Sequence, residues 1–208
     1  MDEPLASLDV LRQNEVLRYI EQLRDDLHIP IVYVSHSVGE ITRLADTVVL
    51  LADGKSLAVG DVDDVMGRLE LRPHTGRYEA GAVIEATVAS HDLTDGLATL
   101  KFQGGELVVP SVEALIGERV RVRIRARDVA LATEPPRRVS VLNILKGSVA
   151  AIAREEGPIV DIRVRVGQAS LIARITRRSR AELGLEQGME VYALLKAGSI
   201  DRRSVGYA

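Results

Sequence analysis

Met1-Asp2-Glu3-Pro4-Leu5-Ala6-Ser7-Leu8-Asp9 decides how the rest of this chain is read. Two adjacent carboxylates are followed by a proline and a Ser-Leu-Asp turn that leads into a helix. A carboxylate pair of this kind is useful where hydrated Mg²⁺ must be held beside a water molecule that needs a base. Beyond it, Val16, Leu17, Ile20, Leu23 and Leu27 recur at helical spacing within Val10–Leu27, with charges between them. Asp9 is a suitable N-cap, because its carboxylate can accept orphan N–H groups of the first turn. Pro30 stops the helix.

Working outward, Ile29-Pro30-Ile31-Val32-Tyr33-Val34 reads as a short strand, apolar on both faces as in a parallel sheet. Ser35-His36-Ser37 follows, and Ser37 with Glu40 forms a capping box for a helix to about Ala45. Thr47–Leu51 is a second strand, Asp53-Gly54 its turn and Ser56–Val59 the returning hairpin partner. Asp61–Leu69 reads as a short helix capped by Asp61.

This order, with Asp-Glu-Pro, then Leu-Asp, then a histidine 33 positions after Glu3, resembles the second half of an ATP-binding-cassette ATPase core. The likeness covers the Walker B strand end, the D-loop and the H-loop. It implies ATP and Mg²⁺ as cofactors of the full-length protein. Asp2 would order Mg²⁺ through water, Glu3 would orient and deprotonate the attacking water, and His36 would contact the γ-phosphate. Asp9, the D-loop acid, is the implied cofactor-binding residue. Such roles suit phosphoryl transfer, which needs positioning and charge neutralisation more than covalent chemistry. Taken singly, an Asp-Glu pair is more often a solvated surface feature and a histidine after a strand more often structural; their order and spacing together carry the resemblance. The Gly-x-x-x-x-Gly-Lys-Ser/Thr phosphate loop is missing, and Gly54-Lys55-Ser56 belongs to a hairpin turn. No Leu-Ser-Gly-Gly-Gln-like signature occurs either. The chain therefore reads as starting in the middle of a domain, and alone it is expected neither to bind ATP tightly nor to hydrolyse it.

Composition sets the frame. With 208 residues, 46% hydrophobic and 27% charged, the chain can hold one large or two small globular domains. It has no cysteine, which excludes disulfides, thiolate metal sites and cysteine nucleophiles and fits a reducing cytoplasm. No apolar run approaches the roughly 18 residues of a membrane span. Residues 1–68 hold 13 acids against 6 bases, whereas residues 69–208 hold 17 against 21. The sign changes where the texture changes, which marks two modules. Residues 69–80, with Arg72-Pro73-His74-Thr75-Gly76, read as the linker, and His74 as a solvated residue.

From residue 81 onward, alternating strands replace helices. Ala82–Ala89, Ala98–Phe102, Glu106–Val109 and Arg119–Arg127 form one group. Ser148–Ala153, Ile159–Val166, Ser170–Ile175 and Glu190–Leu195 form another, with a short helix within Thr176–Leu185. The groups read as a repeat, 81–136 and 140–208, in which Gly81-Ala-Val aligns with Gly147-Ser-Val, Gly117 with Gly188, and Arg125-Ala126 with Lys196-Ala197. Two such units suggest small barrels of the oligonucleotide/oligosaccharide-binding type packed side by side. Arg119, Arg121, Arg123, Arg125 and Arg127 alternate with apolar residues, so one strand face is all arginine. A polyanion-binding face is the functional reading, and a solvated strand face the favoured one. Nucleic acid is not expected as a partner, since one Phe, five Tyr and no Trp offer few stacking platforms.

Ser140-Val141-Leu142-Asn143-Ile144-Leu145-Lys146-Gly147 is similar to the entry of molybdate-binding Mop (TOBE) domains. Thr176-Arg177-Arg178-Ser179, Leu183-Gly184-Leu185 and Ala193-Leu194-Leu195-Lys196-Ala197 continue the pattern in order. The resemblance implies Ser140, Asn143, Thr176, Ser179, Lys196 and Ala197 as oxyanion-binding residues, gathered from two strand ends and across a dimer interface. Short hydroxyls, backbone N–H groups and one cation can replace the water shell of a tetrahedral dianion. Taken singly, each Ser or Thr here is more often a turn or cap residue. Many such domains carry Arg where this chain has Leu142, and losing that charge-assisted contact forfeits about 1.5–3 kcal/mol.

Together the two resemblances imply an α/β partial P-loop ATPase core (1–68) followed by an all-β OB-like Mop double barrel (81–208). The implied protein is the ATP-binding subunit of an ABC-type molybdate importer, a homodimer with transmembrane permease partners. It would be cytoplasmic, peripheral on the inner membrane face, and sense molybdate or tungstate. The alternatives are a non-catalytic oxyanion-binding module, or the ATPase subunit of a sulfate, iron or sugar importer.

Overall fold

The computed structural model describes residues 1–68, 71, 81–154, 157–200 and 205–207. Helix α1 (Val10–Asp25) begins where Asp9 accepts hydrogen bonds from the backbone N–H of Leu11 and Arg12, both at 3.1 Å. It ends two residues short of the expected Leu27, well before Pro30. Its inner stripe, Leu17 and Ile20, buries against Leu5 and against Leu44 of α2 (Val38–Leu44). Beneath this contact the buried Glu21 takes both hydrogen bonds of Arg43, at 2.5 and 2.7 Å. Such a pair fixes the packing of α1 on α2 more than it adds stability.

Ile29–Val34 is not the buried strand expected. It is extended and pairs on one edge only with the chain start, through a parallel bridge between Asp2 and Val34. Val32 is 81% exposed and Val34 is half exposed, because no described residue covers that face. The hairpin β1 (Thr47–Ala52) and β2 (Lys55–Asp61) forms as expected, turning at Asp53 and Gly54 with φ of 51° and 72°. Positive φ at both positions matches the twist of a tight hairpin. One face of the hairpin, with Val48 and Ala58, packs on Val62 and Val65 of α3 (Val62–Gly67). Val49, Leu51 and Val59 on the other face are exposed. Asp61 stands at the N-cap of α3 but its side chain makes no capping hydrogen bond. Apart from Leu71, the 69–80 linker lies outside the described residues.

The remaining strands are β3 (Gly81–Asp92), β4 (Leu97–Phe102), β5 (Gly105–Pro110), β6 (Arg119–Arg125), β7 (Val129–Ala132), β8 (Asn143–Ile152), β9 (Ile159–Val166), β10 (Ala169–Thr176), β11 (Glu190–Leu195) and β12 (Val205–Tyr207). Helix α4 (Arg177–Glu182) lies between β10 and β11. They make two five-stranded antiparallel sheets, ordered β12-β6-β3-β4-β5 and β10-β9-β8-β11-β7. Neither sheet is built from one repeat alone. Strand β7, from the first repeat, closes the second sheet on β11, and β12, from the chain end, closes the first on β6. A single core runs through both sheets, from Ile84, Leu100 and Leu107 to Ile162, Leu171 and Leu195.

Two stretches of the sheets share one hydrogen-bonding pattern, and its register corrects the glycine alignment. Val88 donates to Glu118 O at 3.0 Å and accepts from Gly117 N at 2.9 Å. Val149 does the same with Met189 O and Gly188 N, at 2.9 and 2.8 Å. Val88 therefore matches Val149, and Gly81 is not the counterpart of Gly147. Each glycine answers its own close approach: a Cβ on Gly81 would stand 2.4 Å from Ile124 O, and one on Gly147 2.4 Å from Arg165 O. The match of Gly117 with Gly188 holds, and so does that of Arg125-Ala126 with Lys196-Ala197, since each leads into a single 3₁₀ turn, Ala126–Asp128 and Ala197–Ser199.

The ends of the arginine face, Arg119 and Arg127, are exposed, but its middle is docked rather than solvated. Arg121, whose side chain is 12% exposed, donates to Ala45 O at 3.0 Å and to Asp46 Oδ1 at 2.8 Å. Arg125 donates to Asp128 at 2.8 Å and to Ser199 O at 3.2 Å. The strand thus joins the first module to the sheets. Arg18 and Glu113, 3.0 Å apart, add an exposed ion pair between the two.

Candidate functional site

The chain start is held in place by ordinary backbone pairing. Val34 N donates to Met1 O and Glu3 N to Val34 O, both at 2.9 Å. Glu3 then takes a φ of 43°, which turns the chain so that Leu5 enters the core beneath α1 fully buried. A non-glycine residue at positive φ is uncommon and stores strain where neighbours over-determine it. Here the strained residue is the carboxylate of interest.

Glu3 and His36, 33 residues apart, meet. Glu3 Oε1 accepts the backbone N–H of His36 at 3.0 Å and lies 2.7 Å from its Nδ1. The imidazole is 85% exposed, so Nε2 is left to solvent. The hydrogen bond to Glu3, and then its charge, raise the His36 pKa above the ordinary histidine value. A folded-state pKa raised in this way stabilises the fold below the unfolded histidine's pKa, and the gain is lost as pH rises through the folded value. We expect Glu3→Gln to return the His36 midpoint toward about 6.5, read from its imidazole resonances in an NMR titration; an unchanged midpoint would mean that the pair does not exist in solution.

The turn carrying His36 is fixed by residues that the sequence reading did not assign. Glu40 Oε2 accepts from Tyr33 OH and Ser35 Oγ, each at 2.8 Å, and Ser35 Oγ accepts from Ser37 N at 3.0 Å. Burial, then the hydrogen bond to Glu40, push the Tyr33 phenol well above its usual range and keep it a neutral donor. Ser37 does cap α2, accepting from Glu40 N at 3.4 Å, but Glu40 turns to Tyr33 and Ser35, so the expected capping box is only half formed. The signal was present in the spacing of Ser35, Ser37 and Glu40, read there as a cap alone. Asp2 stands exposed beside Glu3, and Asp9 is occupied in capping α1. Exposed neighbouring carboxylates fit Mg²⁺, which keeps several waters and is held by one or two acids together with phosphates. The phosphates themselves have no cradle among the described residues, since Lys55 opens the second strand of a hairpin.

The six oxyanion candidates fall into two groups. Asn143 opens β8 directly opposite Leu195, the last residue of β11, so Ser140, Asn143, Lys196 and Ala197 share one end of the second sheet. Thr176 ends β10 opposite Ile159, at the other end of that sheet. There Thr176 caps α4: its Oγ1 accepts from Ser179 N at 3.0 Å and lies 2.8 Å from Ser179 Oγ. Within one chain the two groups do not meet.

Asn143 is 2% exposed and clamps β5: its Oδ1 accepts from Val108 N at 2.6 Å and its Nδ2 donates to Val108 O at 2.9 Å. Asn143→Ala leaves both groups of Val108 without their partners, at about 2–3 kcal/mol in total. A fall in melting temperature on the order of 5–10 °C is expected. A change under one degree would show that the clamp carries no stability. Lys196 is exposed, and its backbone O accepts both Ser199 N at 3.0 Å and Ser199 Oγ at 2.8 Å.

Residues 139–201 match the TOBE domain family. Over 206 residues the chain is 50% identical to the molybdenum import ATP-binding protein ModC of Mesorhizobium japonicum, covering 99% of this chain and 56% of that protein. The protein of the same name from Paramagnetospirillum magneticum is 49% identical over 205 residues, with the same coverage. The chain's close homologues are molybdenum import ATP-binding proteins. It spans about half the length of the curated relatives it matches. Among solved structures, the cytoplasmic molybdate-binding protein ModG, with molybdate bound, superimposes with a TM-score of 0.53 at 23% identity. It covers 61% of this chain and 95% of that one, which supports the all-β reading of the second module.

Proposed function

We propose that this chain is the C-terminal portion of the energy-coupling ATPase subunit of a molybdate importer, carrying an oxyanion-sensing unit. On this reading residues 1–68 belong to the ATPase domain, 69–80 link, and 81–208 sense. The observation that carries it is the contact between Glu3 and His36, two residues far apart in sequence and brought within 2.7 Å. Glu3 is the base that takes the proton of the attacking water, and His36 holds Glu3 through Nδ1 and its backbone N–H while offering Nε2 to the γ-phosphate. Asp2 would hold Mg²⁺ through water, and the ion would supply charge neutralisation on the phosphates when nucleotide is bound. Asp9 caps α1, and on this reading it is the acid that would contact the nucleotide. The relatives' name supports molybdenum as the cargo element and ATP as the bound nucleotide. The protein would work in the cytoplasm, on the inner membrane face, through transmembrane permease subunits.

At the sensing end, Ser140, Asn143, Lys196 and Ala197 supply a hydroxyl, an amide, an ammonium and backbone N–H groups. Asn143 spends Oδ1 and one amide hydrogen on Val108, which aims the second hydrogen. Thr176 and Ser179 reach such a site only from another copy, which supports a homodimer. Calorimetry of the chain with molybdate, tungstate and sulfate tests this. Leu142 in place of an arginine predicts binding weaker by roughly one to two decades than in domains that keep it. No heat with ligand at millimolar concentration would remove the sensor. ATP titrated into this chain should bind no tighter than millimolar, because no phosphate cradle occurs among the described residues; micromolar affinity would refute that.

A further inference from the structure

We propose that strand β6 couples the turn after β11 to the Glu3–His36 pair, with Arg125 as its contact at one end and Arg121 as its contact on α2. The inference rests on the reading that the Lys196–Ser199 turn belongs to an oxyanion site.

Arg125 Nη2 donates to Ser199 O, and Ser199 is itself tied by two hydrogen bonds to Lys196 O. A displacement of the Lys196 backbone is therefore felt at Arg125. Along the same face of β6, Arg123 lies over the first turn of α2: a Cβ on Gly39 would stand 3.4 Å from its Nη1. Arg121 then reaches Ala45 O, just past the last turn of α2, and Asp46. The alternation of the strand is what puts all three guanidinium groups on one side. β6 is paired along one edge to β3 and along the other to β12, so it is poorly able to absorb a shift locally.

The helix that β6 grips is short, seven residues, and its two ends are held differently. At the C-terminal end two guanidinium groups cover the carbonyls, Arg121 on Ala45 O and Arg24 on Leu44 O at 2.9 Å. At the N-terminal end Ser37 caps the first turn, and His36 is the residue before it. A rigid body of two turns gripped at one end moves the residue at its other end. That residue holds the carboxylate of Glu3 through both its ring and its backbone N–H.

Amide hydrogen exchange at His36 and Ala45 tests this on the 208-residue chain, with and without molybdate, alongside calorimetry on the same samples. In the wild type, saturating molybdate is expected to change exchange at both amides several-fold. Arg121→Gln should keep the molybdate affinity within twofold of wild type and lose the response at His36. Arg18→Gln, which breaks the exposed ion pair with Glu113 between the modules, should keep both. Arg125→Gln, the second variant, should also lose the response if Arg121→Gln fails to fold. Bound molybdate with His36 exchange unmoved in the wild type overturns the coupling and leaves the oxyanion reading intact. A wild-type response in Arg121→Gln or Arg125→Gln overturns it too. Absence of binding heat removes the oxyanion reading first, and the coupling with it.

Discussion

Gly167→Ala should destabilise the paired sheets by about 3–4 kcal/mol, the largest loss expected from adding a single methyl group to this chain. The β9–β10 turn meets the β4–β5 turn here, with Gln168 N donating to Gln103 O at 3.1 Å. A Cβ on Gly167 would stand 2.2 Å from Gln103 O and 2.7 Å from Gly104 Cα, both backbone atoms that cannot swing aside. Gly167 also has a φ of 60°, which adds the left-handed cost of any side chain. Two other glycines separate these causes. Gly188 has a φ of 88° and nothing within 4 Å of its would-be Cβ, so Gly188→Ala isolates the backbone term at about 1 kcal/mol. Gly104 has no positive φ but faces Val166 O at 2.3 Å, so Gly104→Ala isolates the clash at about 1–3 kcal/mol. Gly104 and Gly167 share one contact, and the double variant should cost less than the two losses added. Urea midpoints of the four variants decide it; equal losses at Gly167 and Gly188 would mean that the turns do not interlock.

This contact shows where sequence reading stopped. The strands were legible because each alternates: Val120, Val122 and Ile124 fill the core while the arginines between them face the other way. Helix α1 was legible from its stripe and from Asp9. The family likeness gave Glu3 and His36 separate roles, but their direct contact was not legible, since no local signal joins residues that far apart. Strand exchange was not legible. Four residues, Val129–Ala132, look the same whether they close their own sheet or its neighbour, and the choice depends on which edge is open in three dimensions. The glycine alignment misled for a related reason: Gly81 and Gly147 are small because a neighbouring strand passes close, and the strand differs in each case. At the candidate oxyanion site, residue types were legible but not their other duties. Asn143 holds Val108, and Thr176 caps a helix. The arginine face was read as exposed because a strand alone says nothing about what docks on it.

On the proposed reading of Glu3 as the base, Glu3→Gln in the full-length protein should lower ATP hydrolysis by roughly 10²–10⁴-fold with little change in KM. The isostere keeps the shape and can still accept the backbone N–H of His36, so the turn at Ser35-His36-Ser37 should hold. What it loses is the ability to take a proton. A merely structural role for Glu3 predicts something different, because an amide that preserves the hydrogen bond would keep the rate within a few-fold. His36→Ala discriminates further. It removes the 2.7 Å ring contact and leaves Glu3 Oε1 held only by the backbone N–H of residue 36, so the base is less firmly oriented. Positioning is worth as much as basicity in phosphoryl transfer, so this variant should lose rate while Glu3 is still ionised. Single-turnover hydrolysis of the two variants, with nucleotide affinity measured separately, gives the split. A Glu3→Gln enzyme that turns over like wild type would remove Glu3 as the base and leave the pair at the chain start a structural contact between a strained turn and a helix.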